Sequence, residues 1–215
     1  MISIDGPVAT GKSVVGGLLA KRLGYKFLDT GIMYRAITWL AMKENICIGD
    51  WARLTTLANE TVISIDYETG QIYLNGFLVP LSEERYSIDK NVSRVSEIPG
   101  VRKVLTKHQQ IIGSEGSIVM VGRDIGTVVL PHASVKFFLI ASDKERARRR
   151  YLELKADGFE VEEKEVFRAI AERDKLDSER AHSPLMLAEG AYIVNTDGLD
   201  IEEVVDGIRR RISEE

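Results

Sequence analysis

The sequence predicts an α/β protein in which helices flank a parallel sheet, interrupted by a small antiparallel insertion. Short apolar runs alternate with helical segments from the first residue onward, which is the order of a parallel sheet. Residues 118–121 and 135–140 are continuously apolar, as in strands buried on both faces. Asn75-Gly76 lies between two apolar runs and is the strongest short-range hairpin signal.

The first fifty residues predict two strand–helix units. Residues 1–5 form a short apolar strand, and the next segment has apolar residues at helical spacing up to Gly24, a typical helix-end residue. Residues 25–29 predict a second strand. Thr30 stands where its hydroxyl could cap a second helix.

The middle of the chain departs from this alternation. Apolar runs at 62–66, 71–74 and 77–79 predict an antiparallel unit, and we interpret residues 54–93 as the insertion that contains it. A helix over 101–112 is expected to return the chain to the core.

The rest of the chain predicts three further strands, with helices after the second and the third. The strands are 118–121, 135–140 and 192–195. Residues 142–145 match a capping box before an arginine-rich helix. A second charged helix is expected over 162–174, and a closing helix over 201–212.

The composition of the 215 residues excludes several classes of protein. The chain is 44% hydrophobic, and its net charge of −4 argues against a nucleic-acid partner. Cys47 is the single cysteine, so neither an internal disulfide nor a cysteine-based zinc site is expected. Without an apolar run of 18 residues or a leader-like N-terminus, we expect a cytoplasmic protein that has no membrane partner.

A phosphate-binding loop follows the first strand. The segment GPVATGKS fits the pattern of glycine, four residues, then Gly-Lys-Ser, and it lies between a strand and a helix. Its amide groups and the helix N-terminus favour an anion, Lys12 adds a full charge, and the Ser13 hydroxyl suits Mg²⁺. The residues predicted to bind the nucleoside triphosphate are Gly6, Pro7, Val8, Ala9, Thr10, Gly11, Lys12, Ser13 and Val14. GTPases, helicase modules, sugar kinases and nucleotide kinases share this loop, so the acceptor stays open at this point.

Polar and basic side chains also follow the second and third predicted strands of the parallel sheet. Thr30 and Arg35 come after residues 25–29, and Arg123 and Asp124 come after residues 118–121. The carboxyl ends of parallel strands share one edge of the sheet, where ligands bind. We therefore expect two phosphorylated ligands side by side.

Arginines on the late helices suit the same chemistry, because phosphoryl transfer spreads negative charge over oxygens and requires water to be excluded. Two sets of residues lie at helical spacing, namely Arg146, Arg149 and Arg150, and Arg173, Asp177 and Arg180. The alternative is a solvated helix face with ordinary ion pairs.

The chain resembles the bacterial-type cytidylate kinases. The segments that carry the resemblance are IDGPVATGKS, LDTGIMYRA, GRDIGTVVLPHASVKFFLIAS, RARRRYLELKADGF and IAERDKLDSERAHSPL. It implies the P-loop nucleoside monophosphate kinase fold, with a five-stranded parallel sheet, an antiparallel insertion in the monophosphate-binding region and a helical lid. Within one kinase domain, the implied parts are a core (1–53, 94–145 and 181–215), the monophosphate-binding insertion (54–93) and the lid with its following helix (146–180).

The resemblance also implies ATP- and Mg²⁺-dependent phosphorylation of CMP and dCMP. The implied catalytic residues are Lys12, Arg123, Arg146, Arg150 and Arg180. The implied CMP-binding residues are Thr30, Tyr34, Arg35, Ser93, Arg102, Arg123, Asp124, Arg173, Asp177 and Arg180. Among these, Thr30, Arg35, Arg123 and Arg180 would hold the phosphate, Ser93, Arg102 and Asp124 the cytosine, and Arg173 and Asp177 the ribose.

Two positions depart from the family pattern. Val121 stands where relatives often have an acidic residue that could orient Mg²⁺, so Asp29 or Asp5 is the candidate substitute. Val14 stands where a threonine is common. No histidine is required as a general base, since an oxygen of the acceptor phosphate is already an anionic nucleophile.

Two alternatives to a CMP kinase stay open from the sequence. One is a kinase of the same fold with another acceptor, such as UMP, AMP or a non-nucleotide. The other is a nucleotide-binding switch module with little turnover. We expect a monomer, because lid motion must not be blocked.

Overall fold

The computed structural model describes residues 1–214, which form eight strands and eight α-helices. The strands are β1 (Ile2–Asp5), β2 (Lys26–Asp29), β3 (Ile63–Ile65), β4 (Ile72–Leu74), β5 (Phe77–Leu78), β6 (Ile118–Val121), β7 (Val135–Ile140) and β8 (Tyr192–Asn195). The helices are α1 (Lys12–Leu23), α2 (Gly31–Lys43), α3 (Trp51–Glu60), α4 (Arg85–Glu97), α5 (Pro99–Ser114), α6 (Asp143–Ala156), α7 (Glu163–Glu179) and α8 (Ile201–Ser213). One π-helical turn, Ile125–Val129, follows β6.

Five strands form a parallel sheet in the order β2-β6-β1-β7-β8. The central strand pairs on both sides, so that Ile4 lies opposite Val121 of β6 and Phe137 of β7. Every residue of β1 and β6 is buried, because helices cover both faces of the sheet. The predicted α/β class and the five-stranded parallel sheet are confirmed.

Two apolar layers cover the sheet. One contains Val15 and Leu19 of α1 with Val205 and Ile208 of α8. The other is built largely from α2, α4 and α5 and extends beneath the insertion. Gly16 allows α1 to approach the sheet, since a β-carbon there would lie 2.5 Å from Cγ1 of Val121.

The predicted hairpin is present in a separate three-stranded antiparallel sheet, β3-β4-β5. Asn75 and Gly76 have φ angles of 52° and 83°, which suit the tight turn between β4 and β5. Helix α3 precedes this sheet and α4 follows it, so residues 54 and 93 lie inside helices that the sequence pattern did not predict. The side chains of Ile72 and Leu74, on one face of β4, are buried in the main core. This packing holds the insertion against α2.

Two predicted helix caps differ in the structure. Thr30 is the N-cap residue of α2, but its hydroxyl donates to the carbonyl of Val121 at 3.0 Å instead of capping the helix. At α6, the Ser142 hydroxyl accepts from the Glu145 amide, whereas the Glu145 carboxylate pairs with arginines of its own helix. The complete capping box lies at the start of α8, where Asp200 precedes Glu203 by three residues.

Helices α5 and α7 are longer than predicted, and α7 continues to Glu179 rather than ending at residue 174. This continuation places Arg173 and Asp177 on one helix, with Arg180 at its C-cap. Within residues 1–214, no helix combines the length and the apolar character needed to cross a membrane.

Two glycine-to-alanine substitutions in helices should change stability in opposite directions. In Gly16→Ala the new methyl group meets Val121 and Phe27, at 2.5 and 2.9 Å, and we expect a loss of about 1–3 kcal/mol in the free energy of unfolding. In Gly207→Ala the methyl group meets open space among the described residues, and we expect a gain of about 0.5–1 kcal/mol. Urea unfolding at 25 °C measures both, and equal effects would contradict close packing at Gly16.

Candidate active site

A cavity of about 920 Å³ opens beyond the carboxyl ends of β2 and β6. Lys12 of the phosphate-binding loop and Arg123 after β6 both line it. The expectation that these segments meet at one edge of the sheet is therefore confirmed. Side chains of α4, α6 and α7 also line the cavity.

The phosphate-binding loop has the backbone that its glycines predict. Gly6 has φ 146°, and a β-carbon there would lie 2.2 Å from the carbonyl oxygen of Leu139. Gly11, with φ 88°, precedes the first residue of α1. Within the loop, Nζ of Lys12 donates to the Pro7 carbonyl at 2.5 Å. Burial, followed by the charge of Arg123, holds the pKa of Lys12 well below its usual value, and an anion in the loop would raise that pKa again.

A hydroxyl and a carboxylate meet where the loop enters α1. The Ser13 hydroxyl donates to Oδ2 of Asp29 at 2.5 Å, and the Gly31 amide donates to Oδ1 at 2.9 Å. Hard oxygen ligands of this kind fit Mg²⁺. Val121 itself packs in the core against Gly16, and the carboxylate bonded to Ser13 is that of Asp29.

Asp5, the other candidate for orienting Mg²⁺, is bonded to the backbone after β6. Its two carboxylate oxygens accept the amides of Ile125 and Gly126, at 2.8 and 2.7 Å. It thereby anchors the π-helical turn that follows Arg123 and Asp124. Burial raises the pKa of Asp5 to about 6, against the opposing effect of the two amide hydrogen bonds.

Part of the cavity lining consists of buried ion pairs. Nη2 of Arg102 donates to Asp124 at 2.5 Å, and its Nη1 donates to the Ser96 carbonyl at 3.0 Å. The guanidinium of Arg102 lies 5.5 Å from the ring centre of Tyr34. These contacts hold an acidic, a basic and an aromatic side chain close together, a set that can recognise a polar aromatic base.

Arginines with unused donors lie beside these pairs. Arg123 donates to Asp177 at 2.8 Å, while Nε of Arg173 and Nη2 of Arg180 are buried without a hydrogen-bond partner among residues 1–214. Burial, and next the charge of Arg123, lower the pKa of Arg173 to about 10. An anionic ligand at this point would satisfy both the charge and the free donors.

Three of the four arginines of α6 were predicted to act in the site, and each has different partners. Arg146 is buried outside the cavity lining, bonded to the Val8 carbonyl at 3.2 Å and paired with Asp143 and Asp174. Arg149 donates to the Thr196 carbonyl at 2.7 Å and lines the cavity. Arg150 also lines it, paired with acidic residues of α4 and of its own helix.

Comparison with known proteins then identifies the family. A family model described as cytidylate kinase matches residues 2–214. The chain belongs to the cytidylate kinase family. Over 211 residues it is 49% identical to a cytidylate kinase of Caldanaerobacter subterraneus subsp. tengcongensis, covering 98% of this chain and 93% of that relative. Over 215 residues it is 45% identical to one of Bacillus subtilis, covering 99% and 96%. The family expected from the resemblance, and with it the kinase class, is confirmed.

Solved structures support the fold independently. A shikimate kinase from Bacteroides thetaiotaomicron aligns over 99% of this chain and 97% of its own, with a TM-score of 0.53 and 15% identity. An uncharacterized protein from Eubacterium ventriosum aligns over 100% and 98%, with a TM-score of 0.54 and 12% identity. At such identities the likeness concerns the fold alone.

In this member of the cytidylate kinase family, the cavity lining differs in part from the predicted set. Ser93 of α4 lies outside the lining, whereas Val92 and Ser96 of the same helix are part of it. Gly6 and Pro7 lie behind the loop residues that face the cavity. Further lining residues had no assigned role in the sequence, namely Arg85, Arg148, Thr196, Leu199, Asp200, Ile201 and Val204. Apart from Arg148, which neighbours Arg149 on α6, they come from elements distant in the chain, so only the fold reveals them.

The raised pKa of Asp5 predicts how stability depends on pH. The folded protein keeps a proton on Asp5 up to about pH 6, while the unfolded chain releases it near the ordinary value of 3.8. The stability of the wild type relative to Asp5→Asn should therefore fall, by about 2 kcal/mol, as pH rises from 4 to 7. Urea unfolding of both proteins across this range tests the sign, and a relative stability that increases with pH would contradict it.

Proposed function

We propose that this protein transfers the terminal phosphoryl group of ATP to CMP and dCMP by direct in-line displacement. The observation that carries the proposal is the single cavity shared by the phosphate-binding loop and a cluster of arginines with Asp124. Two phosphorylated ligands in one cavity are what a nucleotide kinase requires.

On the donor side, residues 6–14 form the proposed ATP-binding loop. The loop amides and the N-terminus of α1 would hold the donor phosphates, and Lys12 would add its charge as the anion displaces it from the Pro7 carbonyl. Arg149 and the start of α8 also line the cavity, and the adenosine part of the donor would lie beside them.

Ser13 and Asp29 are the proposed residues for Mg²⁺, Ser13 directly through its hydroxyl and Asp29 by orienting its shell. Their oxygens lie 2.5 Å apart at the entrance to the loop. When bound, Mg²⁺ would offset the charge of the donor phosphates.

On the acceptor side, separate groups of residues are proposed to bind the phosphate, the ribose and the base of the nucleotide. Thr30, Arg35, Arg123 and Arg180 would bind the monophosphate, and Arg173 and Asp177 the ribose. Arg102 and Asp124 would bind the cytosine edge beside Tyr34, with Ser93 reaching the base after a shift of α4. Cytosine offers an amine donor and two acceptors, which a carboxylate beside a guanidinium complements.

Catalysis in this proposal is positioning and charge stabilisation without a general base. The anionic phosphate oxygen of the acceptor attacks, while Lys12, Arg123 and Arg180 surround the moving group with positive charge. Arg146 would join them when the lid closes, exchanging Asp174 for phosphate oxygens. Arg150 would join by exchanging Glu153 of its own helix, while it keeps its contact with Asp89.

The parts of the chain take corresponding proposed roles. Residues 54–93 form the monophosphate-binding insertion, 146–180 form the lid and the helix after it, and the remainder is the core. We further propose that the enzyme acts as a monomer in the cytoplasm, since its two nucleotides fit one cavity and its lid must move freely.

Activity on a panel of nucleotides tests the proposed reaction. With ATP and Mg²⁺, we expect rapid ADP release with CMP and dCMP and much slower release with UMP and AMP. Lys12→Met should lower kcat by at least about a hundredfold, because it removes charge stabilisation of the transition state. Lack of preference for cytosine nucleotides would contradict the proposed acceptor, and an active Lys12→Met would contradict the role of the loop.

Asp124→Asn tests how the base is recognised. The Asp124 carboxylate would accept a hydrogen bond from the cytosine amine. Uracil has a carbonyl oxygen at that position, to which the Asn side-chain amide could donate. We expect kcat/KM to fall about 10–100-fold for CMP and less for UMP, so that the CMP to UMP ratio falls about tenfold. Asp206→Asn, on the surface beside Arg22, is the matched control and should leave the ratio unchanged.

A further inference from the structure

Asp89 of α4 is a largely buried carboxylate that joins arginines from two other segments of the chain. Its Oδ1 lies 3.2 Å from Nε of Arg35 on α2, and its Oδ2 lies 2.5 Å from Nη2 of Arg150 on α6. The side chain is 13% exposed. The sequence motifs give this residue no role.

The geometry at Arg35 leaves its terminal nitrogens available. Asp89 bonds only the Nε edge of this guanidinium, so the forked end can point elsewhere. A β-carbon on Gly31 would lie 2.9 Å both from Nη1 of Arg35 and from Oδ1 of Asp29. The free end of Arg35 is thus directed to the start of α2, next to Ser13 and the phosphate-binding loop.

Asp89 also supplies negative charge where arginines crowd. Burial opposes its ionisation, but Arg35, Arg150 and Arg173 together hold the pKa of Asp89 below the ordinary value. An ionised Asp89 lowers the repulsion between Arg35 and Arg150, which belong to the acceptor side and to the lid. Without it, each arginine would be free to move to other partners.

Other contacts hold α4 against α6 but do not reach Arg35. Arg85 pairs with Glu153 and with Asp157, the latter at 2.6 Å. Its Nε also lies 3.8 Å from Oδ2 of Asp89. The rings of Tyr86 and Phe159 stack with centres 5.3 Å apart. These contacts stabilise the interface between the helices, and they provide a comparison for the specific contribution of Asp89.

We propose that Asp89 is a positioning residue for the reaction, which orients Arg35 toward the acceptor phosphate and holds Arg150 of the lid beside it. Acceptor binding and lid position are coupled through this one carboxylate. The inference rests on the proposed function, since it takes the ligand of Arg35 to be the monophosphate of the acceptor.

Steady-state kinetics of Asp89→Asn test the inference. The amide keeps the shape but lacks the charge and cannot accept from both arginines. We expect KM for CMP and for dCMP to rise equally, by about tenfold, while kcat changes less than threefold. Asp157→Asn removes a contact of the same interface and should leave both KM values within twofold of the wild type.

A double-mutant cycle with Arg35→Lys shows whether Asp89 acts through Arg35. Lysine keeps the charge but has no Nε edge, so adding Asp89→Asn to Arg35→Lys should raise KM less than threefold further. An unchanged KM in Asp89→Asn, equal effects in Asp157→Asn, or full additivity with Arg35→Lys would each overturn the inference. Failure of the wild type to phosphorylate CMP would instead overturn the proposed function. Far-ultraviolet circular dichroism confirms that each variant is folded.

Discussion

The cavity gathers many cationic side chains from separate elements, and like charges at such distances repel one another unless carboxylates lie between them. Three pairings meet this constraint, because Arg102 lies against Asp124, Arg123 against Asp177, and Arg35 against Asp89. In each pair, the carboxylate and the arginine belong to different segments of the chain. The elements that enclose the cavity are therefore held in place by the same charges that prepare it for anions.

The carboxylates neutralise the cavity only in part. The positive charge and the hydrogen-bond donors that they leave unpaired are what make the cavity a binding site for anions. Buried donors on Arg102, Arg173 and Arg180 have no hydrogen-bond partner among residues 1–214. Lys12 meanwhile donates to a carbonyl of its own loop, and burial disfavours its charge. Buried donors without partners and buried positive charges lower the stability of the fold. Phosphate oxygens of the two ligands would pair with them and remove that cost.

The parallel sheet determines where these charges can meet. Strands β2, β6 and β1 are neighbours, so the segments after them emerge at one edge although the chain separates them by many residues. Close packing fixes their spacing, since Gly16 brings α1 against Val121 and Asp5 anchors the turn after Asp124. The antiparallel insertion lies on α2 and brings α4 with Asp89 over the acceptor side.

The sequence by itself determined the α/β class, the strands, the hairpin at Asn75-Gly76 and the phosphate-binding loop. Each depends on neighbouring residues, through periodicity, turn geometry or a contiguous motif. Only the tertiary structure decided that Arg146 is buried outside the cavity lining, that Thr30 bonds Val121 instead of its helix, and that Asp89 joins Arg35 to Arg150. The choice of partner for a long charged side chain depends on which elements pack nearby, and those elements are far apart in the chain.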